Sequence, residues 1–327
     1  MNRRNVLRTL AGAVIAAPCG VSAQATGKTY RLATLTSGSS ILPASPNGKI
    51  LFPALAQHGY VLDQNLEYKP YGADMEDAKL PELAREIAAS KVDAVVVTGY
   101  PAAAAMKGTG VPTVVAVGAG DPVATGLIAS LAHPNGNVTG ISDNATTLSA
   151  KRLELLKQAV PSIRKIAMLW NKNDLGMTLR YQASADAAKA LGINVQALGV
   201  GEPDDFGGAF AAMDREPPDA ILMVSDALTI LNRQRVFDYA LAHRLPAIYE
   251  NDPYVRAGGL MSYGADVRES FGRAAALVDR IFKGAKPADL PFEEPSRYLF
   301  VVNLKTAKSI GLAFPSNVLA LADEVIE

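Results

Sequence analysis

Short, continuous apolar runs alternate with longer amphipathic stretches through the first half of the chain. The continuous runs predict four β-strands, at residues 31–36, 66–71, 93–98 and 112–117. Apolar positions that recur every three or four residues predict helices at residues 48–58, 77–90 and 102–107. Strands that are apolar throughout and separated by helices are typical of a parallel sheet covered on both faces. This half therefore predicts an α/β unit.

The same alternation restarts after a strongly predicted helix at residues 149–160. Strands are predicted at residues 165–170, 194–200, 219–224 and 247–249, with helices at residues 178–191, 204–215 and 228–244. An Asp-Pro pair follows the last strand of the alternation in each half, as Asp121-Pro122 and Asp252-Pro253. In such a pair the acid can cap a helix that begins with proline. We expect two similar α/β lobes that face each other across a cleft.

The last third of the chain predicts crossings between these lobes. Polar, Gly-rich segments at residues 137–143 and 258–265 are typical of connections and mark where the chain changes lobe. A helix predicted at residues 267–282 then returns to the first lobe. A strand at residues 298–302 and a terminal helix at residues 317–326 complete the second lobe.

The amino-terminal residues carry the pattern of an export signal. Arg3 and Arg4 precede an uncharged apolar run at residues 10–17, and the small residues Ala23 and Ala25 suit cleavage after Ala25. A twin-arginine signal and an ordinary secretory signal both fit the paired arginines. Either one predicts a protein that works in the periplasm after the signal peptide is removed.

The single cysteine, Cys19, lies within this signal. Lipid attachment at Cys19 is an alternative, although the preceding Pro18 fits that processing poorly. Cleavage after Ala25 leaves no cysteine for a disulfide, a thiolate nucleophile or a metal site. The three histidines are far apart in the sequence and lack the spacing of metal ligands. We expect neither a metal nor a cofactor.

Charge and length limit the partners further. The chain has 32 basic and 32 acidic residues, and the signal removes only basic ones, so the mature charge is slightly negative. Nucleic acids and anionic membrane surfaces require clustered positive charge, so neither is expected as a partner. No later apolar run approaches the roughly 20 residues that a membrane-spanning helix needs. About 300 mature residues are enough for two domains of about 150 residues each.

Candidate ligand residues lie in the loops that follow the strands, because these loops meet at one edge of a parallel sheet. Hydroxyl groups and backbone amides in the first lobe suit an anion, whereas acids and amides in the second lobe suit a cation. A lobe pair of this kind predicts a clamp for a zwitterion such as an amino acid, with Tyr100, Trp170 or Tyr249 available for its side chain. The candidates are Ser37, Ser39, Ser40, Thr98, Tyr100, Gly118 and Asp121 in the first lobe, and Asn171, Asp174, Asp226, Tyr249 and Glu250 in the second.

Structural roles remain open for two of these residues: Asp226 is equally suited to cap a helix, and Tyr249 to pack in a core. The loops support a catalytic or a nucleotide-binding role less well than a ligand-binding one. The segment at residues 118–123 resembles a dinucleotide motif, but its sixth position is Val123 and its strand is the fourth rather than the first. Ser37 has no Gly-x-Ser-x-Gly context, and the nearest histidine in sequence, His58, ends the following helix. No catalytic residue is assigned.

Several blocks resemble the ABC-transporter substrate-binding protein family that includes tryptophan and tyrosine binders. The blocks cover residues 118–142, with Gly136-Asn137-Val138-Thr139-Gly140, and residues 151–157, 246–249, 258–264, 303–308 and 322–327. The resemblance implies a periplasmic-binding fold of type I, with two Rossmann-like lobes joined by a hinge of three crossovers. It divides the chain into lobe I at residues 26–140 and 264–290, and lobe II at residues 141–263 and 291–327.

The resemblance also implies a function: an exported protein that binds a small solute, most simply an aromatic or branched amino acid, by hinge closure and delivers it to an inner-membrane ABC permease. We expect a monomer and no enzymatic activity. Two alternatives are a ligand-sensing module that signals to a receptor and an exported hydrolase. The loop at residues 171–174 lacks the common Asn-Pro start of this family, and the loop at residues 37–46 is rich in Ser and Pro.

Overall fold

The computed structural model describes residues 28–327, so the predicted signal, its cleavage site and Cys19 lie outside the described residues. The first lobe is built on a sheet of five parallel strands in the order β2-β1-β3-β4-β5. Its strands are β1 (Tyr30–Thr36), β2 (Leu66–Gly72), β3 (Ala94–Thr98), β4 (Thr113–Val117) and β5 (Val138–Gly140). Its first helices are α1 (Gly48–Gln57), α2 (Leu80–Ala89) and α3 (Tyr100–Met106).

The second lobe is built on a sheet of seven strands in the order β12-β11-β10-β9-β8-β6-β7. Only the pairing of β10 with β11 is antiparallel among the described strands. Its strands are β6 (Lys165–Asn171), β7 (Asn194–Val200), β8 (Ala220–Met223), β9 (Ala247–Tyr249), β10 (Met261–Ala265), β11 (Tyr298–Asn303) and β12 (Glu324–Ile326). Its helices are α4 (Ser149–Ala159), α5 (Leu175–Ala190), α6 (Asp205–Arg215), α7 (Ala227–Leu231), α8 (Arg233–Ala242), α9 (Asp252–Arg256), α11 (Leu304–Ile310) and α12 (Ser316–Leu319).

One later helix, α10 (Val267–Phe282), completes the first lobe. Its buried Phe271 and Val278 share a core cluster with Leu32, Leu51 and Val114 of that lobe. Burying a phenylalanine side chain contributes about 1.5–3 kcal/mol, so this helix is held to the first sheet by its apolar stripe. The chain therefore passes between the lobes after β5, after β10 and before β11.

The predicted α/β class with predominantly parallel sheets is confirmed. Every predicted strand is present with small changes of boundary, and so are the predicted helices up to α10 except the one at residues 228–244. The boundaries between lobes differ slightly from the expected ones. Gly264 and Ala265 belong to β10 in the second sheet, and Phe292 packs in a first-lobe core.

Three of the predicted elements differ from the structure, and these predictions are wrong. The helix at residues 228–244 is divided into α7 and α8 at Asn232, whose side-chain amide donates to the carbonyl of Leu228. Residues 258–265 are mostly the strand β10 rather than a polar crossover. The terminal helix is reduced to α12, because Asp323 donates its N–H to the Phe300 carbonyl and the chain continues as β12 along β11. No helix among residues 28–327 is both long and apolar enough to cross a membrane.

Candidate functional site

The carboxyl edges of the two sheets face each other, and the loops at these edges are in contact. A β-carbon placed on Gly38 would lie 3.6 Å from the β-carbon of Ala227 in the opposite lobe. One placed on Gly120 would lie 2.8 Å from the Cα atom of Gly176, again across the two lobes. The structure is thus a closed arrangement with a cleft between strand-end loops.

Asp174 lies on the second-lobe side of this cleft as the N-cap of α5. Its Oδ1 atom accepts a hydrogen bond from the N–H of Met177 at 3.2 Å, and the residue is 3% exposed. Burial raises the pKa of Asp174 to about 7, and the charge of Asp226 raises this pKa further. The Met177 N–H and the charge of Arg180 oppose this rise only in part.

Asp226 caps the neighbouring helix α7, as the structural reading of the sequence allowed. Its Oδ1 accepts from the N–H of Thr229 at 2.8 Å, and the Thr229 hydroxyl accepts from the N–H of Asp226 at 2.9 Å, which forms a capping box. Its Oδ2 accepts from the side-chain amide of Asn171 at 2.7 Å. Burial raises the pKa of Asp226 as well. Asn171, Asp174 and Asp226 are therefore one cluster.

A second buried cluster contains charges that balance each other. Glu250 pairs with Arg180 at 2.9 Å and lies 3.2 Å from Arg152, and Arg180 also pairs with Asp143. Arg152, Arg180 and Glu250 are each at most 4% exposed. Burial opposes the charge on Arg180, but Asp143 and Glu250 outweigh it and raise its pKa. Two arginines and two acids leave this cluster neutral.

Asp174 and Asp226 are left as an acidic pair without a cation of their own. No lysine or arginine of the described residues forms an ion pair with either side chain, whereas both acids of the neighbouring cluster are paired. Burying an ionised carboxylate is costly unless a positive group accompanies it. The pair therefore suits a cationic group that enters the cleft.

The first-lobe side offers polar groups without excess charge. Ser37 is 7% exposed, and its hydroxyl has no hydrogen-bond partner within residues 28–327. Burial raises the pKa of Tyr100, and the charge of Asp174 adds to this rise, so Tyr100 lies near Asp174. The Oδ1 atom of Asp121 accepts from the N–H groups of Val123 and Ala124 and so caps its own turn.

The remaining first-lobe candidates lie at the same sheet edge. Ser39 is exposed, whereas Ser40, Thr98 and Gly118 are partly exposed. Gly118 has a φ of +80°, and a β-carbon there would lie 3.1 Å from the backbone nitrogen of Gly99. This close approach packs the loops after β3 and β4 together and explains the glycine without a nucleotide.

Three second-lobe side chains that the sequence offers for the ligand have other contacts. Tyr249 is 1% exposed in the second-lobe core, where its ring stacks on Tyr254 at 5.2 Å and meets Phe237 edge-on at 5.3 Å. Glu250 is held by the two arginines and accepts from the N–H of Ser225 at 2.9 Å. Trp170 stacks on Tyr181 at 3.7 Å and lies against Gly199 of β7. The structure gives these three side chains packing or ion-pairing roles.

Sequence reasoning missed Arg152 and Arg180. Both lie within predicted helices, where an arginine is ordinarily exposed to solvent, so the helical pattern carries no signal of their burial. Among the described residues there is no group of three or more histidine, cysteine or acidic side chains that suits a metal ion.

Two α/β lobes that close on a cleft lined by polar loops define a bilobal solute-binding protein. Residues 48–326 match the family described as ABC transporter substrate binding protein. The chain belongs to this family, and it is a solute-binding protein of the kind that serves an ABC importer.

Individual proteins support the same assignment. The chain is 24% identical over 260 residues to a tyrosine-binding protein of Clostridioides difficile. The aligned region covers 79% of this chain and 74% of the relative. A solved conserved domain protein from Vibrio cholerae is similar with a TM-score of 0.83 and 25% identity, over 91% of this chain and all of that one. An ABC domain from Streptococcus pneumonia, solved in complex with L-Trp, has a TM-score of 0.79 and 24% identity, over 90% of this chain and all of that one.

Proposed function

We propose that this protein binds an amino acid, aromatic or branched, in the cleft between its lobes and delivers it to an ABC permease. The observation that carries this proposal is the pair Asp174 and Asp226: burial raises the pKa of both, and neither forms an ion pair with a lysine or arginine within residues 28–327. The names of two similar proteins, one a tyrosine binder and one solved with L-Trp, support the same ligand class.

The ammonium group of the ligand is the cation that the acidic pair lacks. Asp174 and Asp226 project from the starts of α5 and α7, and Asn171 holds the Oδ2 atom of Asp226 at 2.7 Å. Hydrogen bonds between ions of opposite charge are about twice as strong as neutral ones, so this end of the cleft orients the ligand.

The carboxylate of the ligand faces the first lobe. The unpartnered hydroxyl of Ser37 is a donor in a nearly buried position, and the loop after β1 adds Ser39 and Ser40. These groups carry no negative charge, so they accept an anion without repulsion. A zwitterion thus spans the cleft, with one pole on each lobe.

Ligand binding shifts the protein toward its closed state, because only that state presents both poles at once. We place the mature protein in the periplasm as a monomer, exported by the signal at residues 1–25 and cleaved after Ala25. This location follows from the sequence features of the signal and agrees with the extracytoplasmic role of the family.

Thermal melting of residues 26–327 against a panel of amino acids, sugars and aromatic acids tests the ligand class. A ligand at about 100 times its dissociation constant adds roughly 2.7 kcal/mol, which raises the melting temperature by several degrees. We expect an amino acid to give this shift, and the same side chain without an ammonium group, as in an aromatic acid, to give none.

Substitution of the acidic pair locates the ammonium. Asp174→Asn and Asp226→Asn should each lower affinity for the amino acid at least about tenfold, since a charge-assisted contact contributes about 1.5–3 kcal/mol. Asp186→Asn, an exposed change on the same helix α5, is the control and should leave affinity unchanged. Unchanged affinity in both cleft variants would remove the ammonium role from this pair.

A further inference from the structure

Two glycines, one from each lobe, lie in close contact across the cleft. Gly120 follows β4, and Gly176 lies in the first turn of α5. A β-carbon on Gly120 would lie 2.8 Å from the Cα atom of Gly176 and 3.4 Å from its carbonyl carbon and oxygen. Real β-carbons do not approach backbone atoms this closely, so the lobes reach this position only because residue 120 has no side chain.

The identity of Gly176 is not explained by its own lobe. Its backbone lies in a helix, where alanine is more favourable than glycine by about 0.8–1.0 kcal/mol. A β-carbon on Gly176 would lie 3.2 Å from the β-carbon of Tyr100 in the other lobe and 3.5 Å from the Cα atom of Gly120. Within its own helix turn the nearest atom is the Oδ1 of Asp174, also at 3.2 Å. Most of the crowding at Gly176 thus comes from the first lobe.

This contact lies beside the proposed ligand site. Gly176 is two residues after Asp174, and the Tyr100 that approaches it also feels the charge of Asp174. Movement of the first lobe onto Gly176 therefore covers the turn that carries the acid.

We propose that Gly120 and Gly176 form the closure contact that sets how far the lobes approach, and thereby how tightly the cleft holds its solute. This inference rests on the proposed function in that the solute occupies the same cleft. A methyl group on Gly120 would meet the Cα atom of Gly176 at 2.8 Å, and one on Gly176 would crowd the β-carbon of Tyr100 at 3.2 Å, so either substitution opposes full closure.

An engineered disulfide can report closure without any ligand. The β-carbon positions of Gly38 and Ala227 are 3.6 Å apart across the cleft, within the range of about 3.5–4.5 Å found in disulfides. Residues 26–327 contain no native cysteine, so Gly38→Cys combined with Ala227→Cys introduces a single thiol pair. Oxidised glutathione serves as the oxidant, and the rate of cross-linking reports the population of the closed state.

Matched glycine variants in this reporter background test the closure contact. Gly120→Ala is compared with Gly126→Ala, because both glycines have a φ of +69° but only Gly120 has a neighbour within 4 Å. Gly176→Ala is compared with Gly207→Ala in the first turn of α6, where a β-carbon meets nothing within 4 Å. The two variants of the first pair thus carry the same backbone strain, and those of the second pair carry the same change in helix propensity.

We expect Gly120→Ala and Gly176→Ala to slow cross-linking about tenfold relative to their controls. In the uncross-linked protein they should weaken ligand binding by a similar factor, because apparent affinity falls with the fraction of closed protein. Equal rates in test and control variants would overturn the proposal. Equal melting temperatures within each pair show that folding is not the cause.

The outcomes separate this inference from the proposed function. If no amino acid accelerates cross-linking of the reporter, the proposed ligand class fails, but the comparison of glycine variants still decides the closure contact. If amino acids accelerate cross-linking and the glycine variants match their controls, the ligand class stands and the closure contact is wrong.

Discussion

At the scale of single residues, Asp174 and Asp226 both cap helices at the cleft, whereas the sequence alone left capping open as an alternative only for Asp226. Burial raises the pKa of each of these caps. A cap on a solvated surface keeps its ordinary acidity, whereas Asp174 has a pKa raised to about 7. The difference arises from burial, and then from the second carboxylate nearby. A structural cap can therefore also serve as a ligand contact.

The raised pKa of Asp174 predicts how stability changes with pH. The unfolded chain has the ordinary value of 3.8, so between about pH 4 and 7 the ligand-free folded protein holds a proton that the unfolded chain has lost. This group therefore makes the ligand-free protein less stable as the pH rises through that range. Urea unfolding from pH 5 to pH 8 should show this loss in the wild type, and Asp174→Asn should reduce it.

Ligand affinity should depend on pH in the opposite direction to stability. An ammonium group binds the ionised acid better than the protonated one, so affinity should rise with pH through about 7. The Asp174→Asn variant removes this titrating carboxyl group and leaves Arg180 and Asp226, the other charged groups near it, in place. A pH profile that is the same in Asp174→Asn and in the wild type would assign the dependence to another group.

At the scale of elements, the alternation of apolar strands and helices was enough to predict both sheets. The prediction failed where a segment's partner is remote in sequence. Val325 and Ile326 end a segment with helical spacing, but β11 offers a free edge and they pair along it as β12. Residues 258–265 look like a polar connection, yet β10 pairs with both β9 and β11. Local pattern carries no information about such an edge.

The sequence predicts the candidate ligand site to the same extent as it predicts the sheets. A position after a strand places a residue at the cleft edge, which holds for Ser37, Asp174 and Asp226. It does not determine which way a side chain turns, and Tyr249 turns into the core. Glu250 turns to Arg152 and Arg180, which belong to α4 and α5 and are remote in sequence.

The ion cluster around Glu250 ties several elements together, which predicts a large effect on stability. Arg152 of α4 donates to the carbonyls of Ala145 and Tyr263, and Arg180 of α5 reaches Asp143 beyond β5. Glu250→Ala leaves two buried arginines with one acid and should lower the free energy of unfolding by about 3–5 kcal/mol in urea titrations.

Glu216→Ala is the control for this change, because Glu216 forms a surface pair with Lys165 and its side chain is 73% exposed. Exposed pairs contribute about 0–1 kcal/mol. A Glu250→Ala variant as stable as Glu216→Ala would show that Glu250 does not hold these elements together.

At the scale of the whole molecule, closure and charge are linked. Closing the empty cleft buries Asp174 and Asp226 without a positive partner, which disfavours the closed state. If the ligand is the ammonium compound that we propose, it removes that penalty, so we expect the empty protein to favour the open state and the ligand to supply the bias toward closure. On this proposal the acidic pair makes closure depend on the presence of ligand.

This linkage predicts that Asp174→Asn closes more readily without ligand, although it binds ligand less well. Small-angle X-ray scattering should give the ligand-free variant a smaller radius of gyration than the ligand-free wild type, because one of the two buried charges is gone. Asp186→Asn, exposed on the same helix, should match the wild type. If all three ligand-free proteins share one radius of gyration, the buried charge does not control closure, and the bias must come from the hinge segments between the sheets.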